Sequence, residues 1–411
     1  MTPSQYLERH HAAALEALGQ AVRIATVNPP GDRYEEMAGW LHDRCGALGM
    51  ASEVHRVPDR LVRAAGVDPR YPRYNVVARL DAGAAQTIHF NAHYDVVPVG
   101  GGWKSGDPFS GKARGEWVYG RGAGDMKGSI AALLAAIEAI VETGAAPAVN
   151  IECSFTADEE TGGHLGAGYV VDQGLVRADA VVVCEGASGM SVGCGHNGVL
   201  WGEVEVAGRS AHASSPGRGE NAFEAMAAIV HHLQGYRRGL GSAARRYRDV
   251  SGQQRSPTVN LGGVFGGDGQ KVNTVPGNAR FTIDRRLVPG ESTARVERDL
   301  GRAVAAAARR GGARAEWRPQ MRIEPCVVDP RHALPQALAR SVRAVRRRPA
   351  RFRTTTGFTD LHYFVVDGGL PGVGYGVDGQ NAHGADERAR ARDVLHTARI
   401  YADLALRYPA Q

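Results

Sequence analysis

The hydrophobic and polar positions along this chain fall into two regimes. Up to about residue 196, apolar residues recur either at helical spacing or as short solid runs. Apolar positions from Tyr6 to Val27 predict a helix over residues 3–27, stopped by Asn28-Pro29-Pro30-Gly31. A second helix runs from about Arg33 to Leu48, ahead of Gly49. Glu53–Val57 and Arg73–Leu80 alternate as strands on either side of a polar loop that holds Pro58 and Pro72. Thr87–Val97 and Val149–Ala157 are solid apolar runs, the mark of strands buried on both faces. Between them Ser129–Val141 has helical length and no Gly or Pro, which completes a parallel βαβ unit. Residues 179–184 offer a third parallel strand.

After Gly195 the regime changes to half-exposed alternation. Val199–Val206, Thr258–Val264, Ala279–Leu287 and Ala313–Ile323 read as strands, and Asn221–Gln234 and Ser292–Ala307 as helices. Strand, helix, strand, strand, helix, strand is the split βαβ, ferredoxin-like order. A complete α+β domain is therefore expected as an insert at 197–321, within an α/β domain made of 1–196 and 322–411. The chain returns to the first domain through a helix at Ala333–Arg346, a strand at Leu370–Tyr375 and a closing helix at Ala389–Arg407.

Size agrees with two domains, since 411 residues exceed what a single core usually organises. No run reaches the ~18 apolar residues of a membrane span. The first twenty residues lack a basic segment followed by an apolar core, so no signal peptide is expected. Five cysteines without a C-x-x-C spacing argue for core residues and a reducing, cytoplasmic setting. The net charge of +6 is spread over many arginines. The one basic run, Arg340 to Arg353, contains only Phe352 as an aromatic, which argues for a solvated helix face and its connection and against nucleic-acid binding.

The chemistry gathers where apolar strands end. His93 and Asp95 close the first run, Glu159 and Glu160 the second, and Glu185 follows Ala180–Cys184. His383 comes after the late strand, and Asp125 sits among glycines in Tyr119–Gly128, just before a helix. Open α/β sheets place ligand sites past the C-terminal ends of their strands. His93, Asp125, Glu160, Glu185 and His383 mix imidazole with carboxylate and include no thiolate, which suits Zn²⁺, or Mn²⁺ or Co²⁺ in its place. Five ligands exceed the needs of one tetrahedral ion and match two ions that share a carboxylate. Asp95, two residues beyond His93 on the same side of an extended chain, is placed to take the imidazole N–H. Of the adjacent Glu159 and Glu160, one can ligate while the other acts as general base.

The segments HYDVVP (93–98), GRGAGDMKG (120–128), ADEETGG (157–163), CEG (184–186) and AHGADE (382–387) together resemble the M20 metallopeptidase and deacylase family. They come nearest to its acetylornithine deacetylase / succinyl-diaminopimelate desuccinylase branch, and the resemblance covers nearly the whole chain. It implies a mixed-sheet, zinc-peptidase-like α/β catalytic domain with an inserted α+β dimerisation (lid) domain. It makes Asp125 the bridging ligand, puts His93 and Glu185 on one ion and Glu160 and His383 on the other, and leaves Glu159 as general base. It also implies a cis peptide at Asp125–Met126. In the insert, GRSAHASSP (208–216) and GRGENA (217–222) resemble a lid segment whose histidine, His212, reaches the active site of a neighbouring subunit. VNTVP (272–276) and DRRLVPGE (284–291) resemble segments that hold a substrate carboxylate through Asn273 and Arg286. Gly357 and Thr359 in TTGFTD match a substrate loop of the catalytic domain.

One departure bears on the substrate. After Gly195 the chain reads His196-Asn197-Gly198, where the desuccinylase pattern has an arginine pair. Without those guanidinium groups a second carboxylate on the acyl group loses its partner, which favours a short neutral acyl group such as acetyl. The resemblance thus implies a cytoplasmic, homodimeric, dinuclear zinc amidohydrolase that acts on a small N-acyl amino acid or related amine. A dipeptidase or carboxypeptidase of the same fold, or an inactive amino-acid-binding relative, are the alternatives.

Overall fold

In the computed structural model, residues 1–242, 246–267 and 271–408 are described. They form two compact units. The larger comprises Met1–Gly195, Val327–Thr355 and the chain from Thr359 onward; the smaller comprises His196–Cys326 with residues 356–358.

The larger unit is built on a mixed sheet. Strands Asn150–Thr156, Thr87–His93, Ala180–Val183 and Gly372–Gly374 lie side by side and parallel. Tyr74–Leu80 and then Ala51–Arg56 add antiparallel strands on one side, and Ser191–His196 runs antiparallel beside Gly372–Gly374. The solid apolar runs are buried on both faces, as Phe90, Val182 and Phe155 illustrate. The expected connecting helix spans Gly128–Thr143. It is buried along nearly its whole length and ends on Gly144, whose φ of 63° lets its N–H reach the carbonyls of Ile140 and Val141.

The smaller unit has the predicted order of elements. Strands Gly198–Ala207, Thr258–Gly267, Asn278–Leu287 and Arg314–Ile323 form an antiparallel sheet whose spatial order, numbered along the chain, is 2-3-1-4. Helices Ala222–Leu240 and Thr293–Arg310 pack on one face around Leu200, Val204, Ile229, Phe281, Ile283 and Leu300. This is the α+β insert of the predicted fold class.

Several boundaries differ from the expectation. The first helix is two, Pro3–Arg9 and His11–Arg23, broken at His10. It also stops short of Val27, because Thr26 and Asn28 pair with the chain at Val96: Val96 N donates to Thr26 O and Asn28 N to Val96 O. That gives residues 26–28 extended partners in place of helical ones. The supposed polar loop holds a short helix, Asp59–Ala64, whose Val62 joins Val57 and Leu165 in a small apolar cluster. The last helix begins at Ala391, since Arg388–Arg390 is a strand. That strand belongs to a small sheet of Gly379–Gln380, Arg388–Arg390, Trp117–Tyr119 and Ala113–Arg114. The basic run is not all solvated helix. Arg351–Thr355 is a strand, and the side chain of Arg346 is 11% exposed and ion-paired with Asp393 at 2.7 Å.

Candidate metal centre

Three parallel strands deliver their ends to one edge of the sheet. His93 is the last residue of its strand, Glu159 and Glu160 open a tight turn after Asn150–Thr156, and Glu185 follows Ala180–Val183. Asp125 occupies the turn before helix Gly128–Thr143, and its peptide bond to Met126 is cis. His383 lies in the loop joining Gly379–Gln380 to Arg388–Arg390, with a φ of 63°.

The five side chains converge. His93 Nε2 lies 3.3 Å from Asp125 Oδ1, 3.9 Å from Glu159 and 4.0 Å from Glu185 Oε2. His383 Nε2 lies 3.2 Å from Asp125 Oδ2 and 3.1 Å from Glu160. Asp125 therefore turns one oxygen to each imidazole. Two groups of potential ligand atoms result, His93–Asp125–Glu185 and Asp125–Glu160–His383, each with its atoms within 4.8 Å of one another.

The electrostatics is that of a site overloaded with negative charge. Burial drives Glu159 and Glu185 well above the ordinary carboxylate range, with Glu185 adding to the rise at Glu159. Asp125 goes the other way: burial raises it, but the bonds from His383 and His93 outweigh that and hold it low. Bonds to Asp125 and Glu160 lift His383 to about 10. Among the described residues Glu185 Oε1 is buried without a hydrogen-bond partner, an arrangement that costs free energy unless something else meets the oxygen. Imidazole nitrogens and carboxylate oxygens facing one another at this spacing are a donor set that fits divalent cations.

A layer of buried polar groups supports these side chains. Asp95 Oδ1 lies 3.3 Å from His93 Nδ1, and the ring nitrogen is also 3.2 Å from the Asp95 carbonyl. The Asp95 carboxylate further accepts the backbone N–H groups of Glu159 and Glu160 and the amide of Asn28. It thus ties the end of one strand to the turn after the next. Asp158, buried at a φ of 64°, accepts from Arg73, Tyr34 and Asn28. Burial raises it to about 6 against the pull of Arg73. Glu387 accepts the N–H groups of Gly124 and Asp125 and the guanidinium of Arg121.

The profile of Peptidase family M20/M25/M40 matches residues 89–407, about three quarters of the chain, including Asp95, Glu159 and all five candidate ligands. The chain belongs to that family. The acetylornithine deacetylase of Pectobacterium carotovorum is 32% identical over 254 residues, 62% of this chain and 60% of that one. The matched stretch thus spans about three fifths of that relative. The succinyl-diaminopimelate desuccinylase of Paracoccus denitrificans is 31% identical over 381 residues, 90% of this chain and 92% of that one. Among solved structures, the M20 family metallo-carboxypeptidase Sso-CP2 from Sulfolobus solfataricus superposes with a TM-score of 0.78 at 19% identity. That superposition covers 96% of this chain and 99% of the other and speaks to the fold.

The remaining M20 site candidates are divided between the two units. His212 is exposed on a short strand paired with Thr274–Val275, and its Nδ1 lies 2.8 Å from Ser214 Oγ. The N–H of Ala213 donates to the carbonyl of Asn273, so His212 and Asn273 are neighbours. Arg286, on strand Asn278–Leu287, is ion-paired with Asp284 at 2.8 Å and lies over the ring of Trp201. The TTGFTD segment is split: Gly357 goes with the smaller unit, while Thr359 is buried in the larger one against Gly186.

Several residues of the site, Asp158, Arg73 and Tyr34 among them, carried no sequence-based role. Arg121 and Glu387 lie inside two of the quoted motifs, but each is polar in a polar stretch and only the fold pairs them. Asn28 reads as a helix stop. Asp360 ends TTGFTD and is buried beside Thr156, where burial pushes it up to about 8.

Proposed function

We propose that this chain is a cytoplasmic, dinuclear zinc amidohydrolase that removes an N-acyl group, by preference acetyl, from an amino acid or related small amine. The observation that carries the reading is the pair of ligand groups sharing Asp125, with Glu159 beside them and uncommitted to either. In this reading His93 and Glu185 hold one cation, Glu160 and His383 the other, and Asp125 bridges. Two such cations supply Lewis acidity for the amide carbonyl and ready a water for attack. Glu159, beside both groups, would take the proton of that water and hand it on to the departing nitrogen. Asp95 fixes the orientation of His93 and the register of the Glu159–Glu160 turn.

The relatives named deacetylase and desuccinylase support cleavage of an acyl amide. The absence of an arginine pair at His196-Asn197-Gly198 favours a short acyl group. For the insert, we propose that Asn273 and Arg286 hold the substrate carboxylate, that Gly357 and Thr359 line its path, and that the insert pairs with a second copy. Strand Thr258–Gly267 is an edge of its sheet, and Val264 and Phe265 on it are 62% and 72% exposed, a surface that a second copy would cover.

Metal analysis joined to a substrate panel tests the reading. Purified protein should carry about two ions per chain and hydrolyse N-acetyl amino acids, with the products identified by mass. Chelation should abolish turnover, and Zn²⁺ or Co²⁺ should restore it. An active preparation with less than one ion per chain would overturn the reading. Cleavage of dipeptides alone would move the substrate class to peptides.

A further inference from the structure

We infer that the buried ion pair Arg121–Glu387 clamps together the two loops that carry Asp125 and His383. It thereby sets the affinity of the Asp125–Glu160–His383 group for its cation. The inference rests on the metal-centre reading above, and its test separates the two.

Both side chains are almost completely buried, at 2% and 1% exposed, with 2.6 Å between Arg121 Nη1 and Glu387 Oε2. Each then reaches a different loop. Glu387 Oε1 accepts the N–H groups of Gly124 and Asp125, both at 3.0 Å, and so fixes the backbone from which the Asp125 carboxylate projects. Arg121 donates to the carbonyl of Gly384 at 3.2 Å and to that of His383 at 3.3 Å. The two loops also touch directly: a Cβ at Gly379 would fall 2.5 Å from the Cα of Gly124. Side chains larger than hydrogen are excluded there, so the backbones can approach as closely as the ion pair requires.

The His383 loop needs such a fixture. Asn381, His383 and Asp386 all have φ near +60°, a conformation that non-glycine residues adopt only when their surroundings impose it. The His383 side chain is 54% exposed, whereas that of His93 is 1% exposed and backed by Asp95. Where His383 Nε2 stands relative to Asp125 is thus decided largely through its backbone, and Arg121 is the side chain holding that backbone's carbonyl. Among the described residues, neither Arg121 nor Glu387 hydrogen-bonds His93 or Glu185. Glu387 bears on both cations through the bridging Asp125, whereas Arg121, which holds the carbonyls of His383 and Gly384, should act on the Glu160–His383 cation far more than on the other. Arg121 and Glu387 are positioning residues in this scheme and touch no substrate.

Arg121→Lys keeps the charge for Glu387 but cannot serve the acid and two carbonyls together, because an ammonium lacks the planar fork. Metal-free protein titrated with Zn²⁺ alone should show two affinities in the parent. In Arg121→Lys one should be unchanged and the other weakened by about 10–100-fold, the usual effect of losing a support behind a ligand. The weakened ion should be the one lost in His383→Ala, and adding Arg121→Lys to His383→Ala should change nothing more. Saturating Zn²⁺ should return most of the activity. Thermal melts of the metal-free proteins distinguish loss of fold from loss of an ion. If folded Arg121→Lys binds both ions as the parent does, or loses both equally, the clamp is overturned. If the parent itself binds no Zn²⁺, the metal-centre reading falls instead.

Discussion

Glu159 and Arg286 show what single residues in this chain can and cannot declare about themselves. Glu159 sits 3.9 Å from His93 Nε2 yet belongs to neither ligand group, which is what a proton carrier beside a metal pair requires. If Glu159 is the proton acceptor, Glu159→Gln removes it and little else, so two ions should remain bound while kcat falls by roughly 10²–10⁴-fold. A loss of less than tenfold, measured with metal content in the same samples, would assign the proton to another group. Arg286 is fixed on its Nε side by Asp284, with a further bond from Nη2, which among the described residues leaves its other edge open to a carboxylate. Two parallel hydrogen bonds there would fix the direction of the substrate as well as adding affinity. The α-carboxamide of a good substrate should therefore react about a hundredfold more slowly than the free acid, within the range set by the ~2–5 kcal/mol that loss of a desolvated charge pair costs. Arg286→Ala should erase most of that preference, and equal rates on acid and amide in the parent would make Arg286 structural. The strand-end acids and histidines were legible because solid apolar runs mark where each strand stops. Arg121, Asn28, Asp158 and Asp360 were not, since their partners lie far along the chain and no spacing links them.

At the scale of elements, the parallel strands Thr87–His93 and Asn150–Thr156 hold the site from below with polar ladders. His89 Nδ1 meets Glu152 at 2.8 Å, and Asn91 donates to Ser154 and Thr156. These interior polar residues made the strands less apolar than their burial, yet the length of the runs still marked them. Burial alone would raise Glu152, but its bonds from His89, the Arg177 amide and Arg79 outweigh that and hold it below the ordinary carboxylate value. A carboxyl whose folded pKa is depressed stabilises the fold above its unfolded value, near 4.5, and loses that contribution as pH falls through the folded value. Acidification below about pH 4.5 should thus destabilise the parent more steeply than Glu152→Gln, in chemical denaturation run at a series of pH values. Parallel curves would show that Glu152 adds nothing that depends on its charge. What periodicity missed at this scale were the short pieces. Strands of two or three residues, such as Gly379–Gln380 and Ala113–Arg114, carry too few positions for any period to show. The break at His10 went unseen because apolar spacing continues through it.

For the whole molecule, the change from solid runs to alternating ones after Gly195 was legible because a sheet covered on one face must alternate where a doubly covered one need not. How copies of the chain assemble is not written in any such pattern. His212 is exposed, and the one side-chain contact it makes among the described residues is with Ser214, so its own unit gives the imidazole no buried task. A donor to a developing oxyanion typically contributes about 10²–10³ in kcat. If the insert pairs two copies and delivers His212 to the partner's metal centre, each active site takes its proton carrier from one chain and its oxyanion donor from the other. His212→Ala and Glu159→Gln homodimers should then both be nearly inactive, while a mixed dimer retains one site with Glu159 and His212 both intact. Mixing the two variants under subunit exchange should regenerate activity, up to about one quarter of the parent's on random pairing, because half the dimers are mixed and each has one competent site of two. Native mass spectrometry of differently tagged chains would establish that the mixed dimers form. Mixed dimers without recovered activity would place His212 in the service of its own subunit's site, and a strictly monomeric, fully active protein would remove the need for a partner.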